Sequence, residues 1–227
     1  LVHLLRDLLP RLGDTRVRLG TLDPQEASVE LLELIATDLR ICPQLHLGLQ
    51  SGSDRILRRM RRGHTGKDLR PALERLRVRR PEVAVTGDII AGFPSEQDED
   101  FEASLSMLDA LEMEDAHVFG FSVRGGTEAE SMEGQLPPPI IRARVRRLRD
   151  AASARWERAW AARVGHTIDV ATFRSASAPG VIDAHAGQGS RVRVSHQRSE
   201  APTRTALRVR VTGTEDRVVC AVEDLTP

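Results

Sequence analysis

The sequence predicts an α/β chain in which part of a parallel βα barrel is followed by a small all-β domain. Three observations predict it. Residues 1–122 alternate short apolar runs with amphipathic stretches, a proline run at 137–139 marks a change of character, and short Val-rich segments punctuated by Gly, Ser and Pro begin at Val164. The expected divisions are 1–137 for the βα units, 138–163 for a basic connecting helix and 164–227 for the β-domain.

The expected strands of the first part are RVRLGTLD (16–23), LHLGLQS (45–51), VAVTGDIIAGF (83–93) and AHVFGFS (116–122). Helix starts follow the first three. Asp23, with Pro24 next and Glu26 three residues on, reads as a capping box with proline at the first helical position; Thr65 with Asp68 and Ser95 with Asp98 repeat the pattern. In the third helix Phe101, Leu105, Leu108 and Leu111 recur at helical spacing and give one apolar stripe. The connecting helix carries a longer stripe, Ile141, Val145, Leu148, Ala152, Trp156 and Trp160. Its other face holds Arg142, Arg144, Arg146, Arg147, Arg149, Arg155, Arg158 and Arg163 against Asp150 and Glu157, which by itself reads as a solvated basic face. Five short segments then predict a β-barrel or sandwich: 166–174, 179–185, 190–198, 205–213 and 217–225. Arg191 and Arg193 alternate with Val192 and Val194, and Arg208 and Arg210 with Val209 and Val211. One sheet face therefore carries guanidinium groups, either as a phosphate-contacting surface or as an ordinary polar exterior.

Composition sets the bounds. With 227 residues, 40% of them apolar, the chain can bury a core, and 33 basic against 33 acidic residues leave no global field to draw in nucleic acid or membrane. Any basic surface must be local. Lys67 is the sole lysine, a bias that fits a GC-rich genome. Cys42 and Cys220 lie far apart in sequence, which suits a reducing cytoplasm and no structural disulfide. There is no apolar run near the ~20 residues that span a bilayer, and no signal peptide opens the chain. The start at Leu1, inside the apolar pattern LVHLLRDLLPRL, leads us to expect further sequence upstream.

Strand alternation puts His46, Gly48 and Gln50 on one face of their strand, and Thr86 and Asp88 on the corresponding face of the next. A buried carboxylate needs a partner, so Asp88 faces either a ligand or a structural hydrogen bond. His46 and His117, taken singly, read as satisfied core histidines. Ligands of parallel barrels bind beyond the strand C-termini. There the chain places Thr21-Leu22-Asp23, Gln50-Ser51-Gly52-Ser53, Gly92-Phe93-Pro94-Ser95-Glu96 and Ser122-Val123-Arg124-Gly125-Gly126-Thr127. Each segment is small, polar or glycine-rich, which argues for a ligand site without naming the ligand.

The runs ICPQLHLGLQSGSDRILRRMRRGHT (41–65), GDIIAGFPSEQDEDFEASL (87–105) and HVFGFSVRGGTEAESM (117–132) together resemble the radical-SAM methylthiotransferases. Three separated blocks stand in that family's order and spacing, and the likeness covers most of residues 16–165. RICP before LHLGLQSG is most similar to the branch acting on threonylcarbamoyladenosine 37 of tRNA, with the isopentenyladenosine and ribosomal-protein branches as alternatives. The resemblance implies the C-terminal part of a radical-SAM partial TIM barrel, followed by a TRAM-like β-domain that holds RNA. It implies an S-adenosylmethionine pocket at Gln50, Ser51, Asp88, Gly92, Glu96, Ser122, Arg124 and Thr127, and RNA contacts at Arg191, Arg193, Arg208 and Arg210. The sequence departs from the family pattern at Gly20-Thr21-Leu22-Asp23, Gly48, Gly87 and Gly125.

The implied reaction adds a methylthio group to C2 of a modified adenosine, through a radical generated from S-adenosylmethionine by a [4Fe–4S] cluster. The family holds that cluster with a CxxxCxxC loop, which this sequence lacks, so the clusters are expected in an N-terminal part outside it, and this chain alone is expected to be inactive. Expected partners are the tRNA anticodon loop and a reducing electron donor such as flavodoxin, in the cytoplasm and without membrane contact. Two other readings are a non-catalytic RNA-binding remnant of the family, and an unrelated barrel enzyme that binds a phosphorylated small molecule at its glycine-rich loops.

Overall fold

The computed structural model describes residues 1–64, 66–198, 200–202 and 205–223. It divides into two compact units, Leu1–Ala154 and Arg155–Pro227. The first holds helices α1 (Val2–Leu8), α2 (Val29–Thr37), α3 (Asp54–Arg59), α4 (Gly66–Arg79), α5 (Asp98–Ala110) and α6 (Glu128–Ser131), with strands β1 (Gln44–Gln50), β2 (Ala84–Ala91) and β3 (Asp115–Gly120). Helix α7 (Pro138–Ala161) spans the division.

The three strands form a parallel sheet in the order β1-β2-β3, with each βα unit returning the chain to the same end. One face of the sheet is aliphatic: Leu45, Leu47 and Leu49 of β1, Val85 and Ile89 of β2, and Ala116 and Val118 of β3 share a core with Leu31, Ile35, Leu73, Phe101, Leu108 and Leu148 of the helices. The other face carries His46, Thr86, Asp88, Ile90, His117 and Phe119. Fully covered parallel strands read as continuous apolar runs, so this alternation marks a sheet clothed by helices on one face only. Parallel barrels bind their ligands beyond the strand C-termini, the end from which the loops after β1, β2 and β3 leave.

Three expected details differ. The run 16–23 makes only two parallel bridges, Val17 to Ile41 and Leu22 to Leu47, because Gly20 and Thr21 interrupt it. Asp23 caps a single 3-10 turn, Pro24–Glu26: its carboxylate accepts from Gln25 N at 3.1 Å, and Glu26 accepts from Asp23 N at 2.9 Å. The α-helix that follows is capped by Ser28, whose Oγ accepts from Leu31 N at 3.2 Å. Ser95 is not the cap of α5 either. It adopts a left-handed backbone (φ 67°), donates from Oγ to Glu133 O, and leaves capping to Gln97, whose N donates to Asp100 at 2.8 Å. The expected cap at Thr65 lies outside the described residues.

The second unit is a closed barrel of β4 (Thr167–Ala178), β5 (Val181–Ala186), β6 (Arg191–Ser195), β8 (Val218–Glu223) and β7 (Ala206–Glu215), in that order around the ring. Only the β6–β8 pairing is parallel. Its core is small and β-branched, with Val170, Ile182, Ala184, Val192, Val194, Val209, Val211 and Val219 pointing inward, as a narrow barrel requires. Trp156 and Trp160 complete this core, and both indole N–H groups donate to Ser190 Oγ at 3.0 Å. The stripe read along the connecting helix thus serves two cores, Leu148 and Ala152 in one and Trp156 and Trp160 in the other. Among the described residues no helix is long and apolar enough to cross a membrane.

Gly52 is the tightest packing point behind the first strand-end loop. A Cβ there would lie 2.3 Å from the Ala103 carbonyl oxygen on the backbone of α5. Gly52→Ala is expected to cost about 1–3 kcal/mol by overpacking, measured by urea denaturation; unchanged stability would show that α5 does not seat against this loop.

Candidate functional site

Each loop leaving the sheet is fixed by a different device. At the end of β1 the chain turns through Gln50 in a left-handed conformation (φ 64°). Ser51 is buried, accepts from Ser53 N at 3.1 Å and lies 3.4 Å from Ser104 Oγ, while Gly52 N donates to Ser104 at 2.9 Å. Ser53 caps α3 and donates to Asp100 at 2.5 Å. Arg55 pairs with Asp100 and donates to Ser95 O at 2.6 Å, which joins the first loop to the second. Burial alone would raise the Asp100 carboxyl pKa, but hydrogen bonds from Arg55, Ser53 and Gln97 N outweigh it and hold it below the usual carboxylate range.

The second loop is tied to α7. Gly92 has φ 83°, its N donates to both oxygens of Glu96 at 3.0 and 3.1 Å, and a Cβ on it would meet Ile141 at 2.6 Å. Glu96 is buried and pairs with Arg144 at 2.7 Å, and Arg144 reaches Asp98 at 2.6 Å. Burial pushes the Glu96 carboxyl upward against the lowering pull of Gly92 N–H and Arg144. Arg144 is therefore not part of a solvated face. It is 7% exposed and clamps this loop, because an unpaired buried Glu96 would be costly.

Between these loops and the third lies a cleft of about 280 Å³, lined by Gln50, Met60, Arg61, Ile90, Phe93, Phe121, Glu128 and Met132 among others. Phe93 and Phe121 meet edge to face at 5.2 Å, and Arg61 pairs with Glu128 at 2.5 Å. An aromatic wall beside a carboxamide and an ion pair suits a flat heteroaromatic ring with a charged tail. The volume falls just below the usual range of ligand pockets, about 300–1,000 Å³.

Of the residues expected in a cofactor pocket, Gln50 alone lines this cleft. Ser51, Gly92 and Glu96 hold the loops that shape it. Ser122, Arg124 and Thr127 are exposed on the third loop, where Thr127 Oγ1 donates to Arg124 O at 2.8 Å. Asp88 sits one layer back on the sheet's inner face. It lies 3.1 Å from His46 Nε2 and 3.4 Å from His117 Nδ1, and His46 Nδ1 lies 2.7 Å from Thr86 Oγ1. Reading His46 and His117 singly missed this cluster; the signal was the parallel register that sets Thr86 beside His46 and His117 beside Asp88.

The four expected RNA-contacting arginines are exposed on the outer surface of β6 and β7. Carboxylates lie nearby, Asp183 at 3.8 Å from Arg191, Glu215 at 3.3 Å from Arg193 and Asp169 at 4.0 Å from Arg208. Such exposed pairs contribute little to stability.

The cleft fits an adenosine-like cofactor in part; the chain does not fit an iron–sulfur cluster. Its two cysteines are Cys42, buried in the first unit, and Cys220 in the second, and neither has cluster-ligand spacing.

Residues 2–108 match the Radical SAM superfamily profile. The tRNA-2-methylthio-N(6)-dimethylallyladenosine synthase of Mycolicibacterium gilvum is 41% identical over 136 residues, 60% of this chain and 27% of that protein. The enzyme of the same name from Erythrobacter litoralis is 37% identical over 177 residues, 78% of this chain and 40% of that protein. Among solved structures, Escherichia coli coproporphyrinogen III oxidase, described as a radical SAM enzyme, is 18% identical with a TM-score of 0.48 over 58% of this chain and 30% of its own. The matched region thus spans 27% and 40% of the two curated relatives.

The Asp100 staple gives a pH test. With its folded pKa lowered from 3.8, Asp100 stabilises the fold above that value and loses the contribution as pH falls through the folded pKa. Asp100→Asn is expected to cost roughly 1–3 kcal/mol in urea melts at pH 7, with the gap to wild type narrowing as the pH falls through the lowered folded pKa. A gap independent of pH would contradict the charged pairing.

Proposed function

We propose that this chain is part of a radical-SAM methylthiotransferase that adds a methylthio group to C2 of a modified adenosine in tRNA. The radical SAM match and the methylthiotransferase relatives support that family. The observation that carries the reading in the structure is the cleft at the C-terminal edge of three parallel strands, walled by Phe93 and Phe121 with the Gln50 amide at its rim.

S-adenosylmethionine, when bound, supplies the methyl group and the radical precursor. This chain's own residues do the holding. Phe93 and Phe121 offer an apolar wall for the adenine, Gln50 a hydrogen-bonding edge, and the Arg61–Glu128 pair both charges for the amino-acid tail. Asp100 and Arg144 keep the two loops in place. Ser122, Arg124 and Thr127 lie on the third loop, where they can order over a bound cofactor. A reducing cluster would need thiolate ligands other than Cys42 and Cys220, and flavodoxin and a cytoplasmic setting are the proposed surroundings.

The second unit we assign to RNA as a TRAM-like domain. Arg191, Arg193, Arg208 and Arg210 are exposed on strands whose alternate residues are buried valines and leucine, so the side chains stand outward on a rigid base. As to substrate, the relatives' names favour dimethylallyladenosine, while the RICP block favours threonylcarbamoyladenosine.

Fluorescence anisotropy with anticodon stem-loops tests the reading. Binding is expected to weaken with salt, and replacing all four arginines with Gln to lower affinity at least tenfold and flatten the log–log salt slope by roughly 0.7 per lost phosphate contact. An unchanged slope removes the barrel from the account. Stem-loops carrying one or the other modification decide between the two adenosines. No methylthiolation is expected from the purified chain alone.

A further inference from the structure

The inner face of the sheet holds a second constellation that the cofactor cleft does not use. His46 on β1, Asp88 on β2 and His117 on β3 come from three adjacent parallel strands, and one ligand-type atom from each lies within 4.8 Å of the others. We propose that these three side chains bind a divalent transition-metal ion of the zinc type, at a site separate from the cofactor cleft and from any iron–sulfur cluster.

The donor set is the first argument. Two imidazoles and one carboxylate suit zinc and its neighbours, and hard cations such as magnesium prefer all-oxygen shells. Spacing is the second. In a tetrahedral site with arms of about 2.0–2.1 Å, ligand atoms stand about 3.3 Å apart. Asp88 Oδ1 already lies 3.1 Å from His46 Nε2 and 3.4 Å from His117 Nδ1. The third argument is orientation. His46 is buried, and the Thr86 hydroxyl at 2.7 Å from Nδ1 holds the ring so that Nε2 faces Asp88. Metal-bound histidines usually have such a partner on the other ring nitrogen. The Thr86 hydroxyl is itself approached by Gln44 Nε2 at 3.4 Å.

The site is half built and half open. The His46 and Asp88 side chains are 10% and 21% exposed, whereas His117 is 64% exposed on the last strand of the sheet. An exposed third ligand can close on the ion with a side-chain rotation, and three protein ligands leave a fourth position for water or a substrate donor. The carboxylate already stands between two imidazoles whose rings lie 4.9 Å apart, so an ion there would meet all three donors on one side of the sheet. Ile90 follows Asp88 by two residues on β2, about 6.6 Å along the strand, and it lines the cofactor cleft. The proposed ion would therefore sit one layer beneath that cleft.

Titration of the metal-free 227-residue chain with Co²⁺, read by visible absorption, and competition with Zn²⁺ test the proposal without recourse to activity. One equivalent is expected, with a d–d band and no sulfur-to-cobalt charge transfer. Asp88→Asn and His117→Ala should each weaken Co²⁺ binding tenfold or more, and Thr86→Val by about 10–100-fold. His117→Ala is the decisive variant because the side chain is mostly exposed, so its melting curve should match wild type. His166→Gln and Cys220→Ser should bind as wild type does. Absence of stoichiometric binding, a thiolate charge-transfer band, or binding indifferent to His117→Ala would overturn the proposal, whatever the outcome with S-adenosylmethionine or tRNA.

Discussion

Helices cover one face of the three parallel strands, and the rest of the first unit follows from that asymmetry. Side chains alternate across a strand, so burying Leu45, Leu47 and Leu49 against the helices turns His46, Gly48 and Gln50 the other way. The same holds on β2, where Val85 and Ile89 pack on the helices and buried Thr86 with half-buried Asp88 and Ile90 take the opposite face. A one-residue slip of any strand would exchange the two sets, placing histidine and aspartate in the aliphatic core and leucines on the open face. The hydrophobic core is thus what places the polar groups that could do chemistry.

Two charged clamps then convert the strand ends into a shaped edge. Asp100 gathers Ser53, Arg55 and Gln97 N, and Glu96 gathers Gly92 N and Arg144. Each is a largely buried carboxylate, and each is satisfied by several donors rather than by one. These clamps account for residues that sequence reasoning had assigned to a cofactor. They hold the loops so that Gln50, Phe93 and Phe121 border a cleft. Direct contact with a ligand and maintenance of the wall behind it are separate roles, and polar residues at a strand end serve either one.

Much of this was legible in the residues. Three of the four expected strands form, the apolar stripe of α5 is buried at Phe101, Leu108 and Leu111, and the five short β-segments close into a barrel. Periodicity carries such features because burial imposes them. What periodicity could not supply was partnership at a distance. Arg144 looked like one more arginine on a helix face, and only the approach of α7 to the Gly92–Glu96 loop makes it a buried clamp. His46, Asp88 and His117 are far apart in sequence, and their meeting depends on parallel register. Helix starts were misplaced where a 3-10 turn or a left-handed residue came first, as at Asp23 and Ser95. Such local bends leave no mark on hydrophobic spacing.

The central claim is that the loops leaving the parallel strands converge on one cleft able to take an adenosine-bearing cofactor. Titration of S-adenosylmethionine into isotope-labelled chain, followed by backbone amide NMR, addresses it most directly. The account predicts weak, saturable shifts concentrated at Gln50, Arg61, Phe93, Phe121 and Met132, with the β4–β8 barrel undisturbed. Shifts scattered over both units, or centred away from those residues, would contradict it.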